Sequence, residues 1–441
     1  MAYTIPIRFE ERVVASVDPG TGELAYDSAW LDDKDSFPIS LSMPLAEGPF
    51  VAGAVTIPWL SNLLPEGDPL RALSEMTGIS SEDVMGLLNA AGGDVAGALR
   101  IGEYEPRGAP DYHRIPDADA LEKIITQLPA RPFLADEEGV SMSLAGAQTK
   151  LPVFADQAGI AVPVNGMPST HILKPDNPRL LGSVQNEALC MVLAHRIGLP
   201  VAPVTTGTAG SRSYLLVTRY DRETEGDGTA IRRIHQEDFC QALGRFPGAK
   251  YEFNGTGRRG PSLPDLFGLC RDHMTARDIN RLLDAVIFNV ATGNVDAHAK
   301  NYSILLRPGS AELAPLYDLM SGLAWDGITS NNAQEIGGQR RSRYIYGRHW
   351  MRMAEAANLS GRGTIRRIES LVAKILVELE TAAAQVAAMP AGPGPMLSTF
   401  VDAIRDLATE VLAHAAEEAP PAADAALTGA ETASPDHGYA S

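Results

Sequence analysis

The sequence predicts an α+β fold of two lobes, with a β-rich N-terminal part followed by a helical C-terminal part. Three observations support this prediction. Short apolar strands dominate residues 2–56 and recur as far as Thr218. From there to about residue 418, apolar residues recur mainly at helical spacing. Between one helix of this second part and a short hairpin lies a loop, residues 293–301, that is dense in polar side chains.

Length and composition indicate an ordinary globular protein. A chain of 441 residues with 45% hydrophobic and 21% charged residues is long enough for two or three domains. Its net charge of -18 argues against extensive direct contact with nucleic acid. Cys190, Cys240 and Cys270 lie too far apart in the sequence to indicate a disulfide framework or a metal cluster. Because no apolar run is long enough to cross a membrane, we expect a cytoplasmic protein with no membrane partner.

Residues 1–105 are predicted to form a separate N-terminal subdomain. Its expected elements are strands at residues 3–9, 13–17 and 24–26, a helix capped by Ser80 or Ser81 and ending at Leu88, and a strand at residues 95–101. None of these segments carries a catalytic pattern, so we expect the subdomain to be structural or to bind a partner.

Residues 106–220 are predicted to form the β-rich lobe. After a helix from about Asp117 to Leu128, residues 140–150 and the apolar residues 151–154 that follow are expected to form two strands around a tight turn of small residues. The backbone N–H groups of such a turn could approach phosphates closely. Taken alone, the segment is better explained as an ordinary hairpin, because it contains neither a Gly-x-Gly-x-x-Gly nor a Walker motif.

Lys174 supports the phosphate interpretation. It ends the predicted strand at residues 170–174, from which its ammonium group could reach α/β-phosphates. A helix at residues 183–197 follows and carries Glu187 near its start. Glu187 could pair with Lys174, as a helix glutamate does in kinases, or could simply favour the positive end of its helix dipole. Both interpretations remain open.

Residues 221–418 are predicted to form an all-helical C-terminal lobe that contains the catalytic loop, and residues 419–441 a disordered tail. Tyr220 directly precedes this lobe, where the chain of a two-lobed kinase crosses between lobes and its backbone can bond the adenine edge.

The polar loop carries Asp296 and Asn301 in the spacing Asp-x-x-x-x-Asn, and Asp318 follows the predicted hairpin. In protein kinases this arrangement supplies a carboxylate that accepts the substrate hydroxyl proton and two Mg²⁺ ligands. Asp296 and Asn294 could instead merely form turns. Because helix, hairpin and a second aspartate flank the loop, we favour phosphoryl transfer by a protein-kinase-like fold.

The ordered motifs along the chain resemble those of HipA-type kinases, the toxins of bacterial toxin-antitoxin pairs. The segments that carry the resemblance are residues 61–67, 92–98, 143–150, 171–175, 186–187, 219–222, 236–239, 250–252, 293–301 and 313–318. Together they cover about residues 3–385, so the resemblance is far more specific than any single motif.

The resemblance implies a serine/threonine protein kinase that uses ATP and Mg²⁺. By position, Asp296 corresponds to the general base, Asn301 and Asp318 to the metal ligands, and Lys174 to the phosphate lysine. Further nucleotide contacts are implied for Ala145, Gly146, Ala147, Gln148, Lys150, His298 and Tyr317, the last stacking on adenine. Ser143 corresponds to a serine whose autophosphorylation expels the phosphate loop and switches the enzyme off, although from the residues alone it could simply cap a turn.

The resemblance also implies partners. In characterised relatives the substrate is an aminoacyl-tRNA synthetase, notably the glutamyl enzyme, and its phosphorylation arrests growth. A small helix-turn-helix antitoxin, HipB-like, normally binds the kinase and operator DNA. The basic cluster Arg340, Arg341, Arg343 and Arg348 is expected to be a solvated surface or an antitoxin contact rather than a DNA site.

The chain departs from the family pattern at two places. The loop at residues 253–260 is longer than usual, and the sequence diverges after about Met389, where an amphipathic helix is expected at residues 400–418. Two other functions remain open. A small-molecule kinase would share Asp296, Asn301 and Asp318 but would not need the first 105 residues or Ser143. A non-catalytic binding protein would be expected to have lost at least one of those three residues.

Overall fold

The computed structural model describes residues 4–103, 108–225, 230–415 and 417. The chain divides into two compact units. Among the described residues, the first unit lies within residues 1–176, 202–247 and 303–314, and the second within residues 177–201, 248–302 and 315–441. The predicted domains, with boundaries at residues 105, 220 and 418, are continuous segments of the chain, and these boundaries remain a prediction. The predicted disorder of residues 419–441 lies outside the described residues.

Strands and helices occur in both halves of the sequence, as expected for an α+β fold. The strands are β1 Ile5–Phe9, β2 Arg12–Val17, β3 Leu24–Tyr26, β4 Leu99–Ile101, β5 Asp111–Arg114, β6 Leu151–Asp156, β7 Gly159–Val164, β8 His171–Pro175, β9 Val204–Ala209, β10 Arg212–Thr218, β11 Arg222–Glu225, β12 Ala230–Arg233, β13 His235–Asp238, β14 Ser303–Arg307, β15 Ser310–Leu313, β16 Asn331–Ile336 and β17 Gln339–Arg341. The helices are α1 Ser28–Leu31, α2 Ile57–Ser61, α3 Gly67–Thr77, α4 Val84–Ala91, α5 Ala118–Gln127, α6 Ser183–Arg196, α7 Phe239–Ala242, α8 Leu263–His273, α9 Ala276–Thr292, α10 Gly347–Ala356, α11 Gly361–Ala387 and α12 Leu397–Ala415. No helix in the described part of the chain is long and apolar enough to cross a membrane.

The first sheet of unit 1 is antiparallel, with the strand order β3-β2-β1-β4. Apolar side chains of its strands pack into a core that includes Ile7, Val14 and Trp59. The three strands predicted for the start of the chain are present. The predicted strand at residues 95–101 is shorter than expected, because Gly97 has a φ of +84° and donates its N–H to Asp221.

The helix predicted to begin at Ser80 or Ser81 begins later. Residues after Ser80 form a turn, closed by the Asp83 N–H on the Ser80 carbonyl at 3.0 Å. Asp83 is the N-cap instead, because its side chain accepts the N–H of Gly86 at 2.9 Å.

The second sheet of unit 1 has six antiparallel strands in the order β5-β7-β6-β8-β10-β9. Lys174 lies on β8, opposite Leu215 of β10. Of the two strands predicted around the turn of small residues, the second is present as β6, which begins at Leu151, but the first is absent, because residues 140–150 contain no regular strand. The backbone of this segment instead bonds to other parts of unit 1, for example through the Ser143 N–H to the Asp94 carbonyl at 3.1 Å.

A third sheet in unit 1 has the order β13-β14-β15. The predicted hairpin around Pro308 and Gly309 is therefore present, but its second strand is β15, not residues 313–317. The Ala314 N–H still donates to the Ser303 carbonyl of β14 at 2.9 Å, but the Leu316 N–H donates to the Pro200 carbonyl at 2.9 Å within unit 2. With this change of hydrogen-bond partner the chain enters unit 2, where Asp318 follows two residues after Leu316.

Unit 2 contains α6 and α8–α12. Helix α9 buries the predicted apolar stripe, including Leu282, Val286 and Val290. The predicted C-terminal helix is present as α12. The prediction that residues 221–418 form an all-helical lobe needs correction, because this range contains strands β11–β17. Of these, β16 and β17 form an antiparallel ribbon in unit 2. The buried side chains of β16 include the amides Asn332 and Gln334, so the apolar alternation that signals a strand is missing.

Glu237 on β13 is a buried carboxyl in unit 1. Its Oε1 accepts the Leu41 N–H at 2.7 Å, and its Oε2 has no hydrogen-bond partner in the described part of the chain. Burial raises the pKa of Glu237 to about 8, although hydrogen bonds from Ser40 and Leu41 oppose the shift. From about pH 4.5 to about pH 8 the folded protein therefore holds a proton that the unfolded chain releases, and stability falls as pH rises through this window.

We expect Glu237→Gln to remove this pH dependence, because glutamine is neutral at every pH. At about pH 9 the variant should exceed wild type in unfolding free energy by about 1–3 kcal/mol, whereas at about pH 5 the two should be similar. Urea unfolding at both pH values measures the difference. The exposed Glu47→Gln is a matched control. Equal pH dependence in wild type and Glu237→Gln would contradict this account.

Candidate active site

The predicted catalytic loop leaves α9 at a glycine that no other residue replaces easily. Gly293 has a φ of +68°, and a Cβ there would lie 2.5 Å from the Leu323 side chain. The next residue, Asn294, is buried and bonds twice to Asn289 of α9: its N–H donates to the Asn289 carbonyl at 2.8 Å and its Nδ2 to Oδ1 at 3.0 Å. These two hydrogen bonds fix the start of the catalytic loop to the end of α9.

Asp296 is held within a closed network of hydrogen bonds. Its N–H donates to Asn294 Oδ1 at 3.2 Å, and its carbonyl accepts both the His298 N–H and Asn301 Nδ2 at 2.7 Å. Its carboxylate oxygen Oδ1 accepts the hydroxyl of Tyr251. A partly buried carboxylate with a fixed backbone has the chemistry required of a general base.

Asn301 and Asp318, the two predicted metal ligands, both lie in unit 2. Because Asn301 Nδ2 donates to Asp296, its amide is oriented with Oδ1 left as the acceptor. Asp318 has a φ of +56°, a strained conformation that non-glycine residues rarely adopt outside turns and functional sites. Carboxylate and amide oxygens suit Mg²⁺, which typically takes one or two carboxylates together with substrate phosphates. No group of three or more His, Cys, Asp or Glu side chains within the described ranges could hold a metal.

His298 and Tyr317 flank the same loop. The His298 ring meets the Tyr251 ring edge-on, with 5.0 Å between centroids. Tyr317 donates its hydroxyl to the Lys300 carbonyl at 2.7 Å. The structure thus brings Asp296, His298 and Tyr317 together around one loop, while their predicted contacts with a nucleotide remain predictions.

The predicted phosphate loop lies in unit 1, next to residues 63–67. Ser143 is fully buried, and its hydroxyl donates to the Leu63 carbonyl at 2.9 Å. The Gly146 carbonyl accepts the Glu66 N–H at 3.1 Å. Lys150 Nζ donates to the Ala145 carbonyl at 2.6 Å and so closes the loop on itself. Ala147 and Gln148 lie within the turn that this contact encloses.

Gly146 allows this closure. Its φ is +102°, and a Cβ at this position would lie only 2.8 Å from Lys150 Nζ. The lysine can therefore approach the backbone of the turn closely, as a phosphate-binding loop requires.

The remaining predicted site residues are distributed over both units. Lys174 is buried in unit 1, with 6% of its surface exposed, whereas Glu187 is buried in helix α6 of unit 2. Their ion pair remains a prediction. Tyr220 follows β10, and its hydroxyl donates to Gln236. Burial raises the pKa of the Tyr220 phenol, so its side chain stays neutral. The predicted backbone contact of this segment with adenine remains a prediction.

A buried charge cluster beside Tyr220 is not evident from the sequence. Asp221 binds Arg219 through both carboxylate oxygens at 2.8 and 2.9 Å, and Arg222 donates to Asp94 at 2.8 Å. Arg233 lies 3.4 Å from Asp94. Burial alone would raise the pKa of Asp94, but the three guanidinium groups outweigh burial and hold it well below its usual range.

This cluster joins the first 103 residues to the segment that follows β10. Asp94 and Arg219 are 125 positions apart, so only the fold brings them together. Residues 92–98 and 219–222 both belong to the segments that carry the family resemblance, but nothing in the sequence predicted that they meet.

The predicted basic cluster in unit 2 is largely engaged by neighbours. Arg343 donates to Glu410, with the two side chains 55% and 33% exposed, and Arg340 stacks on Phe253 at 4.3 Å from the ring centroid. Phe253 belongs to the long loop at residues 253–260, and the Arg259 guanidinium also lies over its ring, 4.5 Å from the centroid. The unusual loop is thus anchored through this ring.

Comparisons with known proteins identify relatives of both predicted parts. Residues 6–102 match the family model for the HipA N-terminal domain, and residues 142–384 match that for the HipA-like C-terminal domain. The Sinorhizobium fredii protein Y4mE, named as a kinase, is 42% identical over 356 residues, covering 79% of this chain and 83% of that protein. The serine/threonine-protein kinase toxin HipA of Shewanella oneidensis is 33% identical over 349 residues, covering 74% and 78%.

A solved structure agrees with these matches. The complex of Shewanella oneidensis HipA, HipB and operator DNA contains a chain with a TM-score of 0.79 and 27% identity, covering 93% of this chain and 96% of that one. The match confirms the predicted α+β, kinase-like fold.

Proposed function

Because this chain belongs to the HipA family of kinases, we propose that it is an ATP-dependent serine/threonine protein kinase and the toxin of a toxin-antitoxin pair. The observation that carries the proposal is the loop around Asp296, in which hydrogen bonds fix the Asp296 backbone and also orient the Asn301 amide. The match of residues 6–102 to the HipA N-terminal domain favours a toxin over a small-molecule kinase, which would not need this part.

In the proposed reaction, Asp296 accepts the proton of a substrate serine hydroxyl. The serine oxygen then forms a bond to the γ-phosphorus of ATP as the bond to the β-phosphate oxygen breaks, and ADP leaves. Asn301 Oδ1 and the Asp318 carboxylate would hold Mg²⁺, which would neutralise charge on the phosphates. Lys150 and Lys174 provide fixed positive charges for phosphate oxygens, and Tyr317 provides a ring for adenine.

Ser143 is proposed as the self-phosphorylation site. A phosphate adds about two negative charges and three acceptor oxygens. The Ser143 side chain is fully buried against the Leu63 carbonyl, and burying such a charge without partners is strongly unfavourable. Residues 143–150 must therefore leave their observed position to be phosphorylated and cannot return afterwards. With residues 143–150 kept out of the position proposed for binding the ATP phosphates, the kinase would be switched off.

We expect Ser143→Ala to abolish self-phosphorylation while transfer to a protein substrate is retained. The lost hydrogen bond to Leu63 should lower the unfolding free energy by about 1 kcal/mol. Intact mass after incubation with ATP and Mg²⁺ gives the phosphate stoichiometry. Ser141→Ala is a matched control, because Ser141 is also buried and donates its hydroxyl to a backbone carbonyl. Unchanged stoichiometry in Ser143→Ala would remove Ser143 from the switch.

The proposed substrate is an aminoacyl-tRNA synthetase, with the glutamyl enzyme as first candidate because the family resemblance points to it. The proposed partner is a HipB-like helix-turn-helix antitoxin that binds operator DNA, as in the structurally similar complex. The net charge of -18 fits a kinase that leaves DNA contact to its partner. A cytoplasmic location is part of the same proposal.

The substrate proposal is tested with radiolabelled ATP and a panel of purified aminoacyl-tRNA synthetases. We expect label on a serine of the glutamyl enzyme with wild-type kinase and little with Asp296→Asn. Label on another synthetase would correct the substrate, and label on none would contradict this part of the proposal.

A further inference from the structure

Tyr251 makes direct contact with the proposed general base. Its hydroxyl donates to Oδ1 of Asp296, although the two residues are 45 positions apart in sequence. The contacts of Asn294, His298 and Asn301 described above fix the backbone of Asp296. Tyr251 is different because it acts on the carboxylate itself.

The backbone around Tyr251 is held from both sides. The Lys250 carbonyl accepts the Ala299 N–H of the catalytic loop at 3.1 Å. On the other side, Glu252 donates its N–H to Ala333 of β16 at 3.1 Å, and its carboxylate accepts the Glu335 N–H at 2.9 Å. These bonds connect Tyr251 both to the loop it serves and to β16, so it is a fixed element rather than a mobile gate.

The ring of Tyr251 is also confined. His298 packs edge-on against it at an interplanar angle of 88°, and Lys250 Nζ lies 5.7 Å from the ring centroid. Tyrosine has few rotatable bonds, so a ring fixed in this way places its hydroxyl accurately.

We propose that Tyr251 is the positioning residue of Asp296, a role that rests on the proposed kinase activity. By donating to Oδ1, it fixes the rotation of the carboxylate and presents the same geometry to each acceptor hydroxyl. The phenol keeps its proton throughout, while Asp296 receives the proton of the acceptor hydroxyl.

Tyr251→Phe removes only the hydroxyl oxygen and keeps the ring packing. With radiolabelled ATP and the full-length chain, we expect the maximal rate of phosphate incorporation to fall about 10- to 100-fold. The ATP concentration that gives half of that rate should change by less than about twofold, because the residue acts on the base and not on nucleotide. Tyr344→Phe, in the same unit but outside the loop, is the matched control and should leave both quantities unchanged.

A double-mutant comparison separates positioning from a general structural role. If Tyr251 acts through Asp296, adding Tyr251→Phe to Asp296→Asn should lower the residual rate by less than about twofold. A similar fall in both backgrounds would overturn the proposal, as would an unchanged or increased rate in the single variant.

Crystal structures of wild type and Tyr251→Phe give a readout that does not depend on activity. We expect one Asp296 side-chain orientation in wild type and more than one in the variant. The same single orientation in both would overturn the proposal. A wild-type protein that incorporates no phosphate would contradict the proposed function instead, and the crystallographic result would still decide the role of Tyr251.

Discussion

Asp296→Asn is expected to lower the rate of phosphoryl transfer by about 10² to 10⁴, the usual contribution of a positioned base. Asparagine matches the shape of aspartate but cannot accept the hydroxyl proton. The contacts of the Asp296 backbone with Asn294, His298 and Asn301 should survive, so the variant should fold normally. Nucleotide affinity should be largely kept, because the base does not bind ATP.

Initial rates with radiolabelled ATP and binding of a fluorescent ATP analogue measure these two quantities. Asp326→Asn is a matched control, because Asp326 is an exposed aspartate of the same unit. Near-normal turnover in Asp296→Asn would exclude Asp296 as the base. If nucleotide affinity fell as much as the transfer rate, Asp296 would be assigned to nucleotide binding instead.

Asp318→Asn should have the second largest effect, through the metal. Asparagine tolerates the positive φ of +56° at this position better than most residues, so the backbone should be preserved while the charge is lost. We expect transfer at low Mg²⁺ to fall by about 10² to 10³, the scale of losing one electrostatic contact to the transition state.

A Mg²⁺ titration of the transfer rate distinguishes this variant from Asp296→Asn. The half-saturating Mg²⁺ concentration should rise in Asp318→Asn and stay near the wild-type value in Asp296→Asn. An unchanged Mg²⁺ dependence in Asp318→Asn would show that this carboxylate is not a metal ligand.

The features that the sequence predicted correctly are those specified by residues close together in the chain. The apolar stripe of α9 has helical spacing, Gly293 ends that helix in a left-handed conformation, and Pro308 with Gly309 marks the following hairpin. Each signal lies within a few residues of the feature it specifies. The elements on both sides of Asp296 could therefore be located without a structure.

Features that depend on distant partners could not be predicted in this way. The Tyr251 contact with Asp296 spans 45 positions, and the Asp94 contact with Arg219 spans 125. Strand β16 had no apolar alternation, because the amide side chains of Asn332 and Gln334 are buried in it. Residues 140–150 had the small residues of a tight hairpin but bond instead to other segments of unit 1.

The most direct test of the proposed kinase activity is intact mass with phosphosite mapping of the purified chain after incubation with ATP and Mg²⁺, wild type beside Asp296→Asn. We predict one phosphate on Ser143 in wild type and none in the variant. This result would establish an active protein kinase whose base is Asp296. Absence of phosphate from both proteins, or equal phosphate on both, would contradict the central claim.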